Sequence, residues 1–284
     1  MLEALLEALL DSVKLLPFLF LTYLVMEWLE YKTEEKTENM VAKADKFGPL
    51  WGGILGVVPQ CGFSAAATSL YAGRVITVGT LIAIYLSTSD EMLPIMISAS
   101  APVATIVKIL VAKMLIGIVT GFIIEYVSLV ILRRDQRKMD IHHLCEQEHC
   151  KCEDGIFMSA LKHTLKIFAF IVVISLVINI LITLVGEENL AGIFTSVPVV
   201  GELIAGLVGL IPNCVASVVI TQLYLDGIIH AGAMMSGLLV SAGVGLLILF
   251  RLNRNVKENL RIVAVLYGVS VLWGVLIELV GITF

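Results

Sequence analysis

Apolar runs long enough to cross a bilayer recur along most of this chain. They lie at 13–29, 47–72, 75–98, 103–132, 160–185, 201–225, 229–250 and 262–284, and polar gaps fall at 30–46, 133–157, 186–200 and 251–261. A helix crossing ~30 Å of hydrocarbon needs about 20 such residues, so each run is read as helical and membrane-embedded. Residues 2–12 read as a short amphipathic helix leading into the first span. The acidic start has neither the basic opening nor the small-residue cleavage site of a secretory signal.

Shifted against itself by 153 residues, the chain matches without gaps. Gly56-Val-Val-Pro59-Gln60-Cys61 falls on Gly209-Leu-Ile-Pro212-Asn213-Cys214. The same register pairs Ser64 with Ser217, Thr68 with Thr221, Tyr71 with Tyr224 and Gly79 with Gly232, and later Gly121 with Gly274 and Glu125 with Glu278. Leu or Gly coincidences arise easily between apolar stretches, but Pro, Cys, Tyr and Glu in one register mark an internal repeat of the kind that builds transporters.

Lysine and arginine placement predicts how the halves are related. The gap at 30–46 holds Lys32, Lys36, Lys43 and Lys46, while its counterpart 186–200 holds no Lys or Arg. The gap at 251–261 holds Arg251, Arg254, Lys257 and Arg261, while its counterpart near 98–103 again holds none. Equivalent loops with opposite signals predict inverted halves, with residues 133–157 cytoplasmic and both termini extracytoplasmic.

The expected fold is therefore an all-α polytopic membrane protein with two inverted structural repeats. Residues 1–132 form the first, 133–157 a His/Cys-rich linker and 158–284 the second. Four apolar stretches per half with only three full crossings leave one broken, re-entrant helical hairpin in each. The segment 47–72 is favoured, because Pro59 removes a backbone donor and clashes with the preceding turn. The rival is 75–98, with Ser87-Thr88-Ser89-Asp90-Glu91 at its centre.

Composition agrees: of 284 residues, 58% are hydrophobic and 15% charged, against about 45–50% and about 25% in soluble domains. Mean hydropathy is +0.97. A net charge of −5 supplies no polycation for nucleic acid. These values exclude a soluble enzyme, a nucleic-acid binder and a disordered chain.

The few polar residues at membrane depth carry the candidate chemistry. With Pro59 and Pro212 as hinges, the half-helix tips would present Gln60, Cys61, Ser64, Asn213, Cys214 and Ser217 to a dehydrated ion. Thiolates favour soft ions, and amide and carbonyl oxygens harder ones such as manganese. Buried as small hydrophobes, the cysteines would instead serve packing alone. Asp90 and Glu91 are intramembrane carboxylates, functional candidates by default: one to ligate a cation, the other to exchange a proton. Read as a surface loop, 87–91 would have no such role. Glu125 and Glu278 are expected to snorkel to the interface, and Lys108, Lys113 and Arg261 read first as helix-end anchors, with gating or charge balancing as the second reading. His163 and His230 stand alone and read as packed or interfacial.

In the linker, His142, His143, Cys145, His149, Cys150 and Cys152 cluster at spacings suited to zinc or copper but to no closed zinc finger. A loose, exchangeable site is expected there, with a solvated charged linker as the plainer reading. Disulfides are disfavoured on a reducing side of the membrane.

The segments Val57-Val-Pro-Gln-Cys-Gly-Phe-Ser-Ala-Ala-Ala, Leu70-Tyr-Ala-Gly-Arg-Val-Ile-Thr and Leu86-Ser-Thr-Ser-Asp-Glu-Met-Leu-Pro, together with Ile211-Pro-Asn-Cys-Val-Ala-Ser and the His/Cys-rich linker, resemble the ten-helix heavy-metal exporter family. That family is also labelled arsenic efflux protein or manganese transporter. The resemblance covers nearly the whole chain and implies a multipass permease of the cell membrane. Its substrate would be a divalent metal such as manganese, or, using the thiolates, arsenite or an organoarsenical. Expected partners are the metal or metalloid and the lipid bilayer, with a homodimer allowed and nucleic acid excluded. No cofactor is expected beyond the transported ion. An intramembrane cysteine enzyme is the remote alternative, since neither cysteine has a repeated His to serve as base. The sequence has no Gly-x-x-x-x-Gly-Lys-Ser/Thr loop for nucleotide.

Overall fold

The computed structural model describes residues 17, 20, 21, 23, 24, 47–58, 61–89, 92–131, 156–185 and 199–284. Every element among them is helical: α1 (Gly48–Gly56), α2 (Cys61–Ala72), α3 (Val78–Ser87), α4 (Met92–Ser98), α5 (Val103–Ile131), α6 (Ile156–Val185), α7 (Val200–Gly209), α8 (Cys214–Leu225), α9 (Ala231–Val240), α10 (Val244–Leu252) and α11 (Val256–Val280). Pro59, Gln60, Asp90, Glu91 and the six linker ligands lie outside the described residues.

The 153-residue repeat reappears in the helix boundaries. Helices α2, α3 and α5 start at 61, 78 and 103, and α8, α9 and α11 start at 214, 231 and 256, each 153 residues on; α7 and α10 begin one residue ahead of that register. The turn after α2 carries Arg74 at φ 57°, and its counterpart after α8 is Gly227 at φ 72°. Both turns close the same way: Val75 N donates to Leu70 O at 2.8 Å and Ile228 N to Leu223 O at 2.9 Å, the long-range bond of a left-handed helix stop.

Glycine contacts give the helix directions. Gly48, Gly52 and Gly56 of α1 face Thr80, Ile84 and Ser87 of α3 in that order, so α1 and α3 run the same way. Helix α2 leaves the end of α1 and finishes beside the start of α3, so α1 and α2 form an out-and-back pair. Helix α5 runs opposite to α3, with Gly121 against Gly79 and Gly117 against Ser87. Helices α7, α9 and α11 repeat the arrangement: Gly206 meets Ser236, Gly209 meets Val240, and Gly274 meets Gly232.

Between the halves the short arms are exchanged. Helix α2 packs against α10, and α8 against α4. Ser64 meets Gly245, and Tyr71 OH donates to Glu258 Oε1 at 2.5 Å, just beyond the end of α10. Helices α2 and α10 thus run side by side in the same direction. Trp273 Nε1 donates to Thr120 Oγ1 at 3.1 Å across a separation of 153 residues, so this bond joins equivalent positions.

Four stretches are long and apolar enough to cross a membrane: Val78–Ser98, which runs across residues 90 and 91 outside the described set, Val103–Val130, Ala231–Leu252 and Val256–Val280. Two of them, α3–α4 and α9–α10, are interrupted. The interrupted stretches lie inside and the continuous ones outside: Ala231–Leu252 is 89% buried and Val256–Val280 only 28%. Exposed Val107, Val111, Leu115 and Val119 on α5 give the kind of face that lipid requires.

Repeated Gly and Glu residues explain the tight α3–α5 and α9–α11 contacts. A methyl on Gly79 would lie 2.6 Å from Gly121 O, and one on Gly232 would lie 2.6 Å from Gly274 O. Small residues at such crossings let backbones approach without a hydrophobic driving force. One turn further along, Glu125 Oε2 accepts from Gly79 N at 3.2 Å, and Glu278 Oε2 accepts from Gly232 N at 3.2 Å. These half-buried carboxylates turn inward instead of snorkelling. Their role is to satisfy orphan donors in the first turns of α3 and α9, where a helix favours negative charge.

Gly79→Ala and Gly232→Ala should each lower stability by about 1–3 kcal/mol through overpacking. Gly268 has open space around it, so Gly268→Ala should be neutral or slightly stabilising. Thermal unfolding of purified protein in one detergent, comparing the three variants, checks this.

Candidate functional site

The two interruptions meet in the interior. Helix α3 stops at Thr88 (φ −58°, ψ 133°), where the Thr88 hydroxyl folds back onto Ile84 O at 2.7 Å. Helix α9 stops at Ser241 (φ −70°, ψ 89°), and the chain restarts through Gly243 at φ 52°, ψ −137°. That conformation is open to glycine and strained for other residues. Its counterpart in the first half is Asp90, so the two breaks differ chemically.

Thr88, Ser89, Met92, Lys113, Ser217, Leu238 and Ser241 surround a cavity of about 10 Å³, the scale of a single water. Both breaks, the first turn of α8 and the middle of α5 therefore contribute to one small space of mixed polar and apolar lining. Ser87, Thr88 and Ser89 are at most 1% exposed, which rules out the surface-loop reading of residues 87–89.

Lys113 corrects an expectation. It lies ten residues into α5, about 15 Å along the helix, and is 1% exposed, so it is no helix-end anchor. Its Nζ donates to Thr88 O and, at 3.0 Å, to Leu238 O. Both carbonyls belong to the final turn or cap of a helix, where backbone acceptors lack intrahelical partners. The signal was present in the sequence as a lone lysine deep in an apolar run, the pattern that marks functional candidates. Lys108 and Arg261, by contrast, are exposed, as is His230 at the N-cap of α9; the side chain of His163 lies outside the described set.

The predicted tip residues distribute unevenly. Cys61 and Cys214 begin α2 and α8 at equivalent places. Asn213 is buried at the N-cap of α8 without a side-chain cap bond to that helix, and the Cys214 thiol is half-buried. Ser217 lines the cavity and donates to Cys214 O at 2.8 Å. Ser64 is fully buried but faces Gly245 of the opposite half and is not among the residues lining the cavity. Beside it, Thr68 Oγ1 lies 2.5 Å from Tyr85 OH and 3.1 Å from Gly245 O, a polar knot between α2, α3 and α10. Each tip thus meets the interrupted span of the other half.

Among the described residues no group of three or more His, Cys, Asp or Glu side chains gathers. The described part of the cavity instead offers carbonyl and hydroxyl oxygens, the Met92 thioether and one ammonium. Glu202, which sequence reasoning passed over, is 2% exposed in the first turn of α7. Its Oε2 has no hydrogen-bond partner among the described residues; the positive end of α7 is its local compensation.

Gly243→Ala should destabilise the protein by about 1–3 kcal/mol, the usual cost of holding a side chain in sparsely allowed backbone space. A lower melting temperature than wild type, at unchanged helical circular dichroism, is the expected result.

The family described as "Putative, 10TM heavy-metal exporter" matches the chain over residues 1–148 and 127–280. The chain belongs to that family. No curated protein and no solved structure matches it.

Proposed function

We propose that, as a member of this exporter family, the chain moves a divalent heavy-metal cation out of the cell by alternating access around its interrupted helices. The observation that carries this reading is the meeting of both interrupted spans at one small, buried cavity that Thr88, Ser89, Lys113, Ser217 and Ser241 line together with Met92 and Leu238. Carbonyls freed at helix ends, with serine and threonine hydroxyls, suit a hard or borderline cation such as manganese. Irregular backbone at membrane depth is tolerated where it lines such a cavity.

The halves are inverted about an axis in the membrane plane, and α1–α2 and α7–α8 are the re-entrant hairpins. Three observations support this. Helices α1 and α3 share a direction, which requires α2 to return toward the face α1 left. Helix α2 runs parallel to α10, the counterpart of α4, as inversion demands and a parallel repeat forbids. The Trp273–Thr120 bond joins equivalent positions, as a two-fold axis passing nearby would. On this reading, and with the lysine and arginine bias of the loops, the termini are extracytoplasmic and the linker is cytoplasmic. There, His142, His143, Cys145, His149, Cys150 and Cys152 would capture metal loosely for delivery. Gln60, Cys61, Asn213, Cys214, Asp90 and Glu91 flank the interruptions and complete the donor set, with Pro59 and Pro212 as hinges.

A second reading, efflux of arsenite or an organoarsenical, rests on the equivalent placement of Cys61 and Cys214 at two helix starts. Protein reconstituted in vesicles and offered manganese, zinc, copper and arsenite separately tests both. Manganese uptake that survives the double change Cys61→Ser, Cys214→Ser within about tenfold, a difference of about 1.4 kcal/mol, supports oxygen ligation. Arsenite movement abolished by the same change would establish the second reading instead.

A further inference from the structure

We propose that Tyr85 plugs a second cation position, the repeat counterpart of the cavity, and so confines the substrate ion to one place. The inference rests on the export reading above and concerns where among the broken helices a divalent cation is held.

A site built where two repeated halves meet is offered twice, once by each half. Shifting the lining of the cavity by the 153-residue register gives the second set. Ser217 becomes Ser64, Leu238 becomes Tyr85, Met92 becomes Gly245, and Thr88 and Ser241 exchange with each other. The fold gathers this second set too. A methyl on Gly245 would lie 3.0 Å from Ser64 Cβ and 3.1 Å from Tyr85 Cε1. Ser64, Tyr85 and Gly245 therefore meet, as Ser217, Leu238 and Met92 do around the cavity.

The two positions differ in what fills them. Tyr85 is fully buried, and its ring extends where Leu238, its counterpart, stops short. Gly245 leaves the room that the ring occupies, and the side chain of Met92 could not be accommodated there. Two changes of opposite sense, far apart in sequence, thus combine to make the plug. Its hydroxyl is fixed as well. Thr68 has one hydroxyl proton, held between Ser64 O at 2.6 Å and Gly245 O at 3.1 Å. Tyr85 OH therefore donates to Thr68 Oγ1, at 2.5 Å. Lys113 and Ser89 are answered by buried Leu266 and Ala242, so an opened second position would draw its oxygens from Ser64, Thr68, Thr88 and Ser241.

One open position serves the transport reading better than two. Divalent charges a few ångströms apart in a low-dielectric interior repel strongly. Two open positions would therefore divide a single ion between them without raising the load. Filling one leaves a single defined geometry, which is what a preorganised site needs.

The test is electron paramagnetic resonance of manganese bound to the purified full-length protein, with ions per chain counted by equilibrium binding. Wild type should hold a single manganese in a single environment. Tyr85→Leu should keep that count but divide the ion between two environments, while Tyr85→Phe, which retains the ring, should show one. Transferring the plug, by Leu238→Tyr with Met92→Gly, should weaken binding more than about tenfold, and adding Tyr85→Leu to that pair should restore it. A second ion in wild type, one unchanged environment in folded Tyr85→Leu, or two environments in Tyr85→Phe would overturn the plug and leave the export reading standing. Wild-type affinity in the folded transfer pair, or no restoration by Tyr85→Leu, would do the same. If the transfer pair does not fold, the Tyr85→Leu spectrum decides. Failure of wild type to bind or move manganese, zinc or copper would overturn both.

Discussion

A helix that stops inside apolar surroundings must find partners within the protein for the backbone groups it releases. The centre of this structure is organised around that requirement. Helices α3 and α9 both stop there, and their released carbonyls are met by a lysine from α5 and by the hydroxyls of neighbouring serines and threonines. The interrupted spans must lie inside, since only protein can satisfy them. The uninterrupted α5 and α11, whose backbones satisfy themselves, form the outer wall. Burial order and site location are two consequences of one constraint.

The peripheral glycines and glutamates hold this centre in place. Gly79 against Gly121, and Gly232 against Gly274, bring the interrupted helices close enough to α5 and α11 for a lysine on α5 to reach two helix ends. Glu125 and Glu278 then close the first turns of α3 and α9. Exchange of α2 and α8 between the halves makes each interruption a joint product of both, so neither half contains a complete site. A rearrangement of one half against the other would therefore change the cavity directly, which is what alternating access asks of a repeat protein.

Much of this was legible in the chain. The apolar runs, the 153-residue register and the interruption after Gly56 and Gly209 all follow from local pattern, and the helix boundaries keep the register to within one residue. Gly79, Gly121 and Glu125 were visible as repeated residues, though as separate positions in a register. Only the antiparallel crossing shows that they touch, because sequence spacing does not reveal which faces of two helices meet. Lys113 was misplaced for a related reason. Charge in an apolar run is read by its distance from the run's ends, and the carbonyls that hold it are 25 and 125 residues away.

By itself, then, the sequence determined that the chain is helical, that it belongs in lipid, and that it is doubled, since composition, periodicity and self-similarity are local properties. Tertiary structure decided which polar residues share a space. Cys61 and Cys214 drew attention by their motif, yet the described cavity is built from Thr88, Ser217, Ser241 and Lys113. Helix ends exchanged between two halves bring those four together, and the need to satisfy released backbone groups, a three-dimensional condition, selects them.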